Sequence, residues 1–418
     1  MSLRFYRQNS WWLGTGLVLT FASSFGQTYF IGLFADPIRA EFGLSNGAWG
    51  GLYTVATIFS ATVLVQAGKL VDTMSLARLA AGILVLYAGA ALLMMTAGHV
   101  IVLGVAIFGL RFCGQGMMGH IAVSAMARWF AANRARAVAV AVLGFPIGEA
   151  VFPVIAVHVE EALGWRAAWA AVAVILLGVI LPAVFVLLRR GRVPQGEGAG
   201  ESAVGMGGRH WTRREVLKHW SFYALLPGLL APPFIGTCIF FHQAHIADVR
   251  GFSLATMALA FPIYAFTSIS TSLTAGLVLD RIGPTRVLPF CLVPLSVSIA
   301  ALALPGGVWI WFLMLVGVGI SQGVVITMMG TLWPTLYGTR WIGSVKSIIS
   351  ASMVVATALG PGVSGIIIDE GVSFPDQALT MSAYCLGISL LFFVIAPRLR
   401  GALPAQPHPH DTPAGATP

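Results

Sequence analysis

The chain has 418 residues, of which 57% are hydrophobic and 9% charged, and its mean hydropathy is +0.86. A water-facing shell takes about a quarter charged residues, so the composition excludes a soluble enzyme, a nucleic-acid-binding domain and a disordered chain, and leaves a polytopic membrane protein. The net charge of +9 then becomes a question of where the basic residues sit along the chain.

In chain order, a window of about 19 residues finds twelve apolar runs, at 11–35, 49–66, 76–97, 100–126, 138–157 and 167–188, then 222–241, 255–279, 287–304, 308–331, 342–368 and 378–396. Each is long enough to cross a hydrocarbon core of about 30 Å as a helix. Arg4 and Arg7 precede the first run as in a signal peptide, but that run exceeds the roughly 7–15 apolar residues of a signal sequence and is kept as a span. The predicted fold class is an all-α membrane protein. Two six-helix halves, 1–188 and 221–397, flank a Gly-rich polar stretch at 189–220 expected to be a flexible linker, and the Pro/Ala/His-rich tail 398–418 is expected to be disordered. Cys113, Cys238, Cys291 and Cys385 lie on separate apolar runs, without disulfide or metal-ligand spacing.

An even number of spans puts both termini on one side. With that side cytoplasmic, 20 of the 24 Lys and Arg fall in cytoplasmic segments, Arg39, Arg166 and Arg250 fall outside, and Arg111 lies within a span. This asymmetry sets the orientation, and the expected location is a plasma membrane, the inner one in a double-membraned bacterium. The positive charge is thus a topology signal, and no nucleic acid is expected. Most tryptophans, including Trp11, Trp49, Trp129, Trp165, Trp309 and Trp333, fall near span ends, where interfacial belts form.

The halves repeat. Gly68, Asp72 and Arg78 after the second run recur as Gly276, Asp280 and Arg286 after the eighth, at a constant offset of 208 residues. Gly114-Gln115-Gly116 in the fourth run is echoed by Ser321-Gln322-Gly323 in the tenth, at an offset of 207. Halves with equal span number and the same starting side are parallel repeats about an axis along the membrane normal.

At these residues the chain resembles the major facilitator superfamily of secondary transporters. Its loop motif G-x-x-x-D-R-x-G-x-x-R is complete at Gly276, Asp280, Arg281, Gly283 and Arg286, whereas the first copy has Thr73 and Ser75 where a basic residue and glycine are usual. Arg111 matches the family's fourth-span arginine, with Gln115 and Gly116 one residue later than in the family pattern; Gly164-Trp165-Arg166 and Gly360-Pro361 with Gly365 are also similar. The resemblance implies transport by alternating access. It also implies a conformational latch, in which Asp72 meets the start of the eleventh span near Arg340 and Lys346, and Asp280 the start of the fifth near Arg134 and Arg136. The physical basis is a carboxylate capping a positive helix end; the bland alternative is that these loops only set topology and a tight turn.

Charge at mid-depth marks a pathway, and two residues qualify, Arg111 in the fourth span and Glu149 in the fifth, each about 11 residues in. Since the family makes these helices neighbours, they are expected to pair, either as a site or as a purely structural pair. Gln27, Tyr29, Gln115, Gln243 and Gln322 lie on helices that line the cavity in the family and are candidates for substrate binding. His242 and His120 are candidates for proton coupling beside Glu149, and His245 suits a gate. No nucleophile-base set, phosphate loop or metal cluster argues for an enzyme, and no cofactor is expected beyond a coupling proton.

One fixed cation partnered by one acid suits a small carboxylate, taken up or exchanged with a proton by a monomer in membrane lipid. The chain looks closest to the bacterial monocarboxylate-porter and oxalate/formate-exchanger-like branch. The alternatives are a proton-antiport exporter of hydrophobic compounds, supported by the Gly/Pro-rich fifth span at Gly144-Phe-Pro146-Ile-Gly148, and a transporter-like sensor that binds without translocating.

Overall fold

The computed structural model describes residues 3–130, 133–189 and 204–404. Among the described residues there is helix and no strand. Eleven helices are long and apolar enough to cross a membrane, and a twelfth is the bent pair Phe5–Gly32 and Ala35–Phe42, which turns by 64°. The expected spans are all present, extended by a few residues at most ends: the tenth runs Trp309–Tyr337 and the twelfth Phe374–Gly401. Alternation of spans puts Phe5 and Leu403 on one face, called here the terminal face, and Asn46, Arg250 and Asp369 on the opposite, far face.

Local chemistry stops and starts these helices. Ser45 caps the second span by accepting the Ala48 N–H, and the His99 ring accepts the Ile101 N–H at the start of the fourth. Gly164 and Gly283 end the fifth and eighth spans at φ 80° and 81°, a region where a side chain is strained. Ser75, the counterpart of Gly283 in the first repeat, sits at φ −67°. The first loop therefore makes a different turn, which is why it needs no glycine.

The tryptophans divide into two groups. Trp309, Trp220, Trp341 and Trp11 are exposed, as an interfacial belt requires, but Trp49, Trp169, Trp311 and Trp333 are fully buried. Proximity to a span end does not separate the two, because a helix end can also be a packing point. The four cysteines are buried and unpaired.

Of the stretch expected to be a linker, 190–203 lies outside the described residues, as does the tail from 405. Residues 204–218 are folded onto the second half. The Trp211 N–H donates to the Tyr337 carbonyl at 2.9 Å, the Gly207 N–H to Ala402 O at 2.8 Å, and the Trp211 indole to Met206 O at 3.0 Å. Thr212 and Glu215 form a reciprocal capping box at the start of Arg213–Val216. We call this segment the strap.

Candidate substrate cavity

The first span is broken at mid-depth. Ser23–Gly26 tightens into a 3₁₀ turn, Gln27 becomes extended at φ −82°, ψ 154°, and helix resumes at Thr28–Gly32. The run Ser23-Ser24-Phe25-Gly26 competes with regular helix through its serines and glycine. Irregular backbone at membrane depth survives only where protein or a cavity surrounds it, and here both do. The Phe30 N–H bonds Gln27 O, so Gly26 O is left for a side chain.

Arg111 takes that oxygen. Its Nη1 donates to Gly26 O at 2.9 Å and to Thr28 Oγ1 at 3.4 Å, and the guanidinium lies 5.0 Å over the Tyr53 ring, a cation–π contact. The approach depends on two glycines. A Cβ on Gly26 would stand 2.1 Å from Leu110 O, and one on Gly114 would stand 2.2 Å from the Tyr87 hydroxyl. From Arg111 to Met118 the fourth span widens into π-helical turns, a deformation frequent at functional sites.

A cavity of about 390 Å³ lies between the halves at this depth, within the size range of small-molecule sites. The first half contributes Gln27, Thr28, Tyr29, Gln115 and Glu149; the second contributes Tyr264, Ser321 and Gln322, with Pro232, Val318, Met329 and Met353 as apolar wall. Among the described residues, Glu149 is the sole charged side chain on this wall. Arg111 is fully buried one layer behind it, on the other side of Thr28.

The expected Arg111–Glu149 pair is therefore not made, and none of the ion pairs among the described residues includes either residue. The broken first span is the reason: it supplies a backbone oxygen, a hydroxyl and an aromatic face to the guanidinium, so the fourth and fifth spans need not neutralise each other. Thr28, Tyr264 and Ser321 were missed in the sequence reading. Thr28 could have been found from the serine-glycine break before it. A lone Tyr or Ser in an apolar run carries no signal that separates cavity from core.

The remaining candidates lie elsewhere. Gln243 is buried at the far end of the seventh span, where its Nε2 donates across the halves to Tyr29 O at 2.7 Å and to Phe240 O at 2.9 Å; it joins the far closure and does not line the cavity. The buried His242 ring contacts Pro361 O at 3.0 Å beside it, and the exposed His120 ring contacts Gly68 O at 3.1 Å on the terminal side. Neither lines the cavity. Asp72, Arg78, Asp280, Arg281 and Arg286 are exposed on the terminal face. Asp72 has only Arg128 of its own half, at 3.5 Å, and Arg286 reaches Ile282 O at 3.5 Å, so the latch contacts across the halves are absent in this conformation among the described residues. Those residues contain no group of three or more His, Cys, Asp or Glu able to hold a metal.

The cross-half contacts concentrate on the far side. The Asp369 carboxylate, at the end of the eleventh span, accepts the N–H groups of Asn46 and Gly47 at 3.0 and 2.7 Å, capping the second span. Thr54 Oγ1 donates to Ala358 O at 2.6 Å, and the Trp49 and Phe241 rings stack 5.6 Å apart. Among the described residues no cross-half hydrogen bond, ion pair or ring contact lies on the terminal side. Among the described residues, the hydrogen bonds and ring contacts between the halves thus hold the far face.

Known proteins agree with this architecture. The sequence profile described as Major Facilitator Superfamily matches residues 16–361 and 233–418. Similar solved structures include a bacterial homolog of the human lysosomal transporter Spinster, in an inward-facing and occupied conformation, at TM-score 0.71 and 16% identity over 96% of this chain and 99% of that one. They also include a peptide transporter POT, at TM-score 0.70 and 14% identity over 94% and 95%, and the nucleoside transporter NupG, at 0.69 and 13% over 92% and 99%. At such identities the likeness concerns the fold. Among curated proteins, the Aspyridones efflux protein apdF of Emericella nidulans is 23% identical over 311 residues, which are 68% of this chain and 57% of that protein's length. With the profile matched across both repeats and the twelve-span fold shared end to end, the chain belongs to the Major Facilitator Superfamily.

Proposed function

We propose that this secondary transporter exports a hydrophobic, neutral or cationic compound in exchange for protons. The carrying observation is the sign of the cavity: Glu149 is its only charged wall residue, while Arg111 is turned away behind Thr28. A carboxyl group among prolines, methionines and a few hydroxyls and amides gives a cation and a proton one shared place to compete. That competition is what antiport requires, since loading one must displace the other. The efflux role named for the fungal relative supports the same class. The asymmetry of basic residues supports a terminal face in the cytoplasm and a plasma-membrane location; the open cavity then faces the cell interior, ready to load.

A second reading has an observation of its own. Arg111 Nε and Nη2 are buried without a hydrogen-bond partner, and leaving such a cation unpaired is costly. A small carboxylate reaching past Thr28 would satisfy it, as the monocarboxylate-porter-like branch implies.

Thermal-shift measurements on the purified protein separate the two, with tetraphenylphosphonium and oxalate as probes at pH 6 and pH 8. The export reading expects stabilisation by the lipophilic cation, stronger at pH 8 and lost in Glu149→Gln. In proteoliposomes Glu149→Gln should also lose export driven by a pH gradient. Stabilisation by oxalate alone, removed by Arg111→Ala, overturns export in favour of the anion.

A further inference from the structure

A second and larger hollow, about 840 Å³, lies outside the transport cavity in the second half, walled by the seventh, eleventh and twelfth spans. Along the eleventh span its wall runs from Ser347 to Leu359, twelve residues or about 18 Å of helix. That is close to the depth of one leaflet, half of a hydrocarbon core of about 30 Å. Leu230, Phe234, Ile348 and Val355 make the wall apolar, and the Tyr384 hydroxyl ties the twelfth span to Pro227 O at 3.2 Å.

The mouth has the opposite chemistry. Arg213 of the strap lines the groove at its terminal end and has no hydrogen-bond or ion-pair partner among the described residues. Arg209, Arg214 and Lys218 flank it within ten residues of sequence. The sole acid there, Glu215, is already engaged by the Thr212 N–H and hydroxyl and by Arg209 at 2.7 Å. Trp220 and Tyr223, just beyond, are exposed and suit the headgroup layer. The strap is also fixed, since Trp211 and Gly207 are bonded to the tenth span and to the end of the twelfth. A cation is thus held over a leaflet-deep apolar slot, next to a basic cluster of the kind that attracts anionic lipid.

We propose that this groove is a binding site for an anionic phospholipid of the terminal-side leaflet, with one acyl chain between the seventh and eleventh spans and the phosphate on Arg213. The inference does not depend on what the transport cavity carries. It does bear on how the cavity moves, because the opposite faces of the same two helices carry Pro232, Thr237, Met353 and Thr357 of the cavity wall. A seated chain fills the hollow behind that wall and supports the seventh span, whose Pro232 and Pro233 each remove a backbone donor from its middle.

The test is lipid retention by the full chain. Delipidated protein in detergent is given phosphatidylglycerol or phosphatidylcholine of equal chain length, and bound lipid is counted by native mass spectrometry. The wild type should retain phosphatidylglycerol in preference. Arg213→Ala should lower that retention about fivefold, the worth of one basic residue near an anionic surface. Ala351→Trp, which fills the groove from an exposed position, should lower it for both lipids, while Arg7→Ala, on the same face of the other half, should leave it unchanged. Melting temperatures without lipid check that each variant is folded. Equal retention of the two lipids by the wild type overturns the proposal. So does a loss in Arg213→Ala with none in Ala351→Trp, which would mean attraction to the strap without seating in the groove.

Discussion

The two faces of the molecule hold their halves by different means. On the far face the second and eleventh spans meet backbone to backbone. A Cβ on Gly50 would stand 2.4 Å from Pro361 O and one on Gly365 2.4 Å from Asn46 O, and Asp369 caps the end of the second span at the outer rim. On the terminal face the same pair of spans brings Asp72 and its arginines, exposed and, among the described residues, partnered within their own half. Close backbone contact is short-ranged and all-or-none, whereas exposed charge is soft and screened. The seam accounts for the closed side, and the charged loops can only bias when the other side closes.

The strongest way to break this contrast is to put a side chain in the seam. Gly365→Leu has no room in the closed far face, and overpacking of this kind costs about 1–3 kcal/mol, charged to one conformation only. The far ends of the second and eleventh spans should separate in spin-label distance measurements, with the open population rising fivefold or more, and the transport rate should collapse. Unchanged distances would show that the seam does not set the conformation. Asp369→Asn is milder. It removes the charge from a helix N-terminus, worth about 0.3–1 kcal/mol, but keeps an oxygen that can accept one N–H. A shift of about twofold to fivefold toward the far-open form is expected in the same measurement, and Asp369→Glu should recover part of it.

This difference between faces was only half legible in the sequence. Twelve spans and the 208-residue repeat could be read directly, because a bilayer enforces continuous apolar runs and the loop motif needs specific residues. The placement of Glu149 inside the fifth span also followed from counting. The closing contacts did not, because Gly47, Gly50, Gly362 and Gly365 read as ordinary small residues of membrane helices until a partner backbone is beside them. The expected Arg111–Glu149 pair failed for a related reason: the partners of Arg111 are a carbonyl, a hydroxyl and a ring, and a carbonyl exposed by a helix break has no signature of its own. The Gly68 to Arg78 and Gly276 to Arg286 motifs drew attention to the other face.

On the terminal face, Asp280→Asn should leave the far-face distances unchanged, because among the described residues Asp280 makes no hydrogen bond or ion pair across the halves. Its effect should appear in turnover: if the opposite conformation uses the carboxylate to cap the fifth span, exchange in proteoliposomes should slow by about twofold to fivefold at normal expression. A change in the resting distances with unaltered turnover would reverse the assignment of the two faces.

The smallest effect concerns the strap, which sits on the terminal face, is bonded among the described residues to the second half, and should be indifferent to which face is closed. The Glu215 carboxyl is held below its ordinary value of about 4.5, first by the Thr212 N–H, then by the Thr212 hydroxyl and the charge of Arg209. A lowered value means that the ionised form favours the folded strap, so its contribution is fully present above about 4.5 and is lost as pH falls through the lowered value. Hydrogen exchange of the strap amides, Trp211 and Thr212 among them, should therefore be protected equally at pH 7 and pH 5 once corrected for intrinsic rates, and should lose protection only below about pH 4.5. Glu215→Gln should show weakened protection at every pH, since it keeps an acceptor but not the charge. The far-face distances should not follow either change; if they do, the strap is coupled to the seam, and the two faces are not held independently.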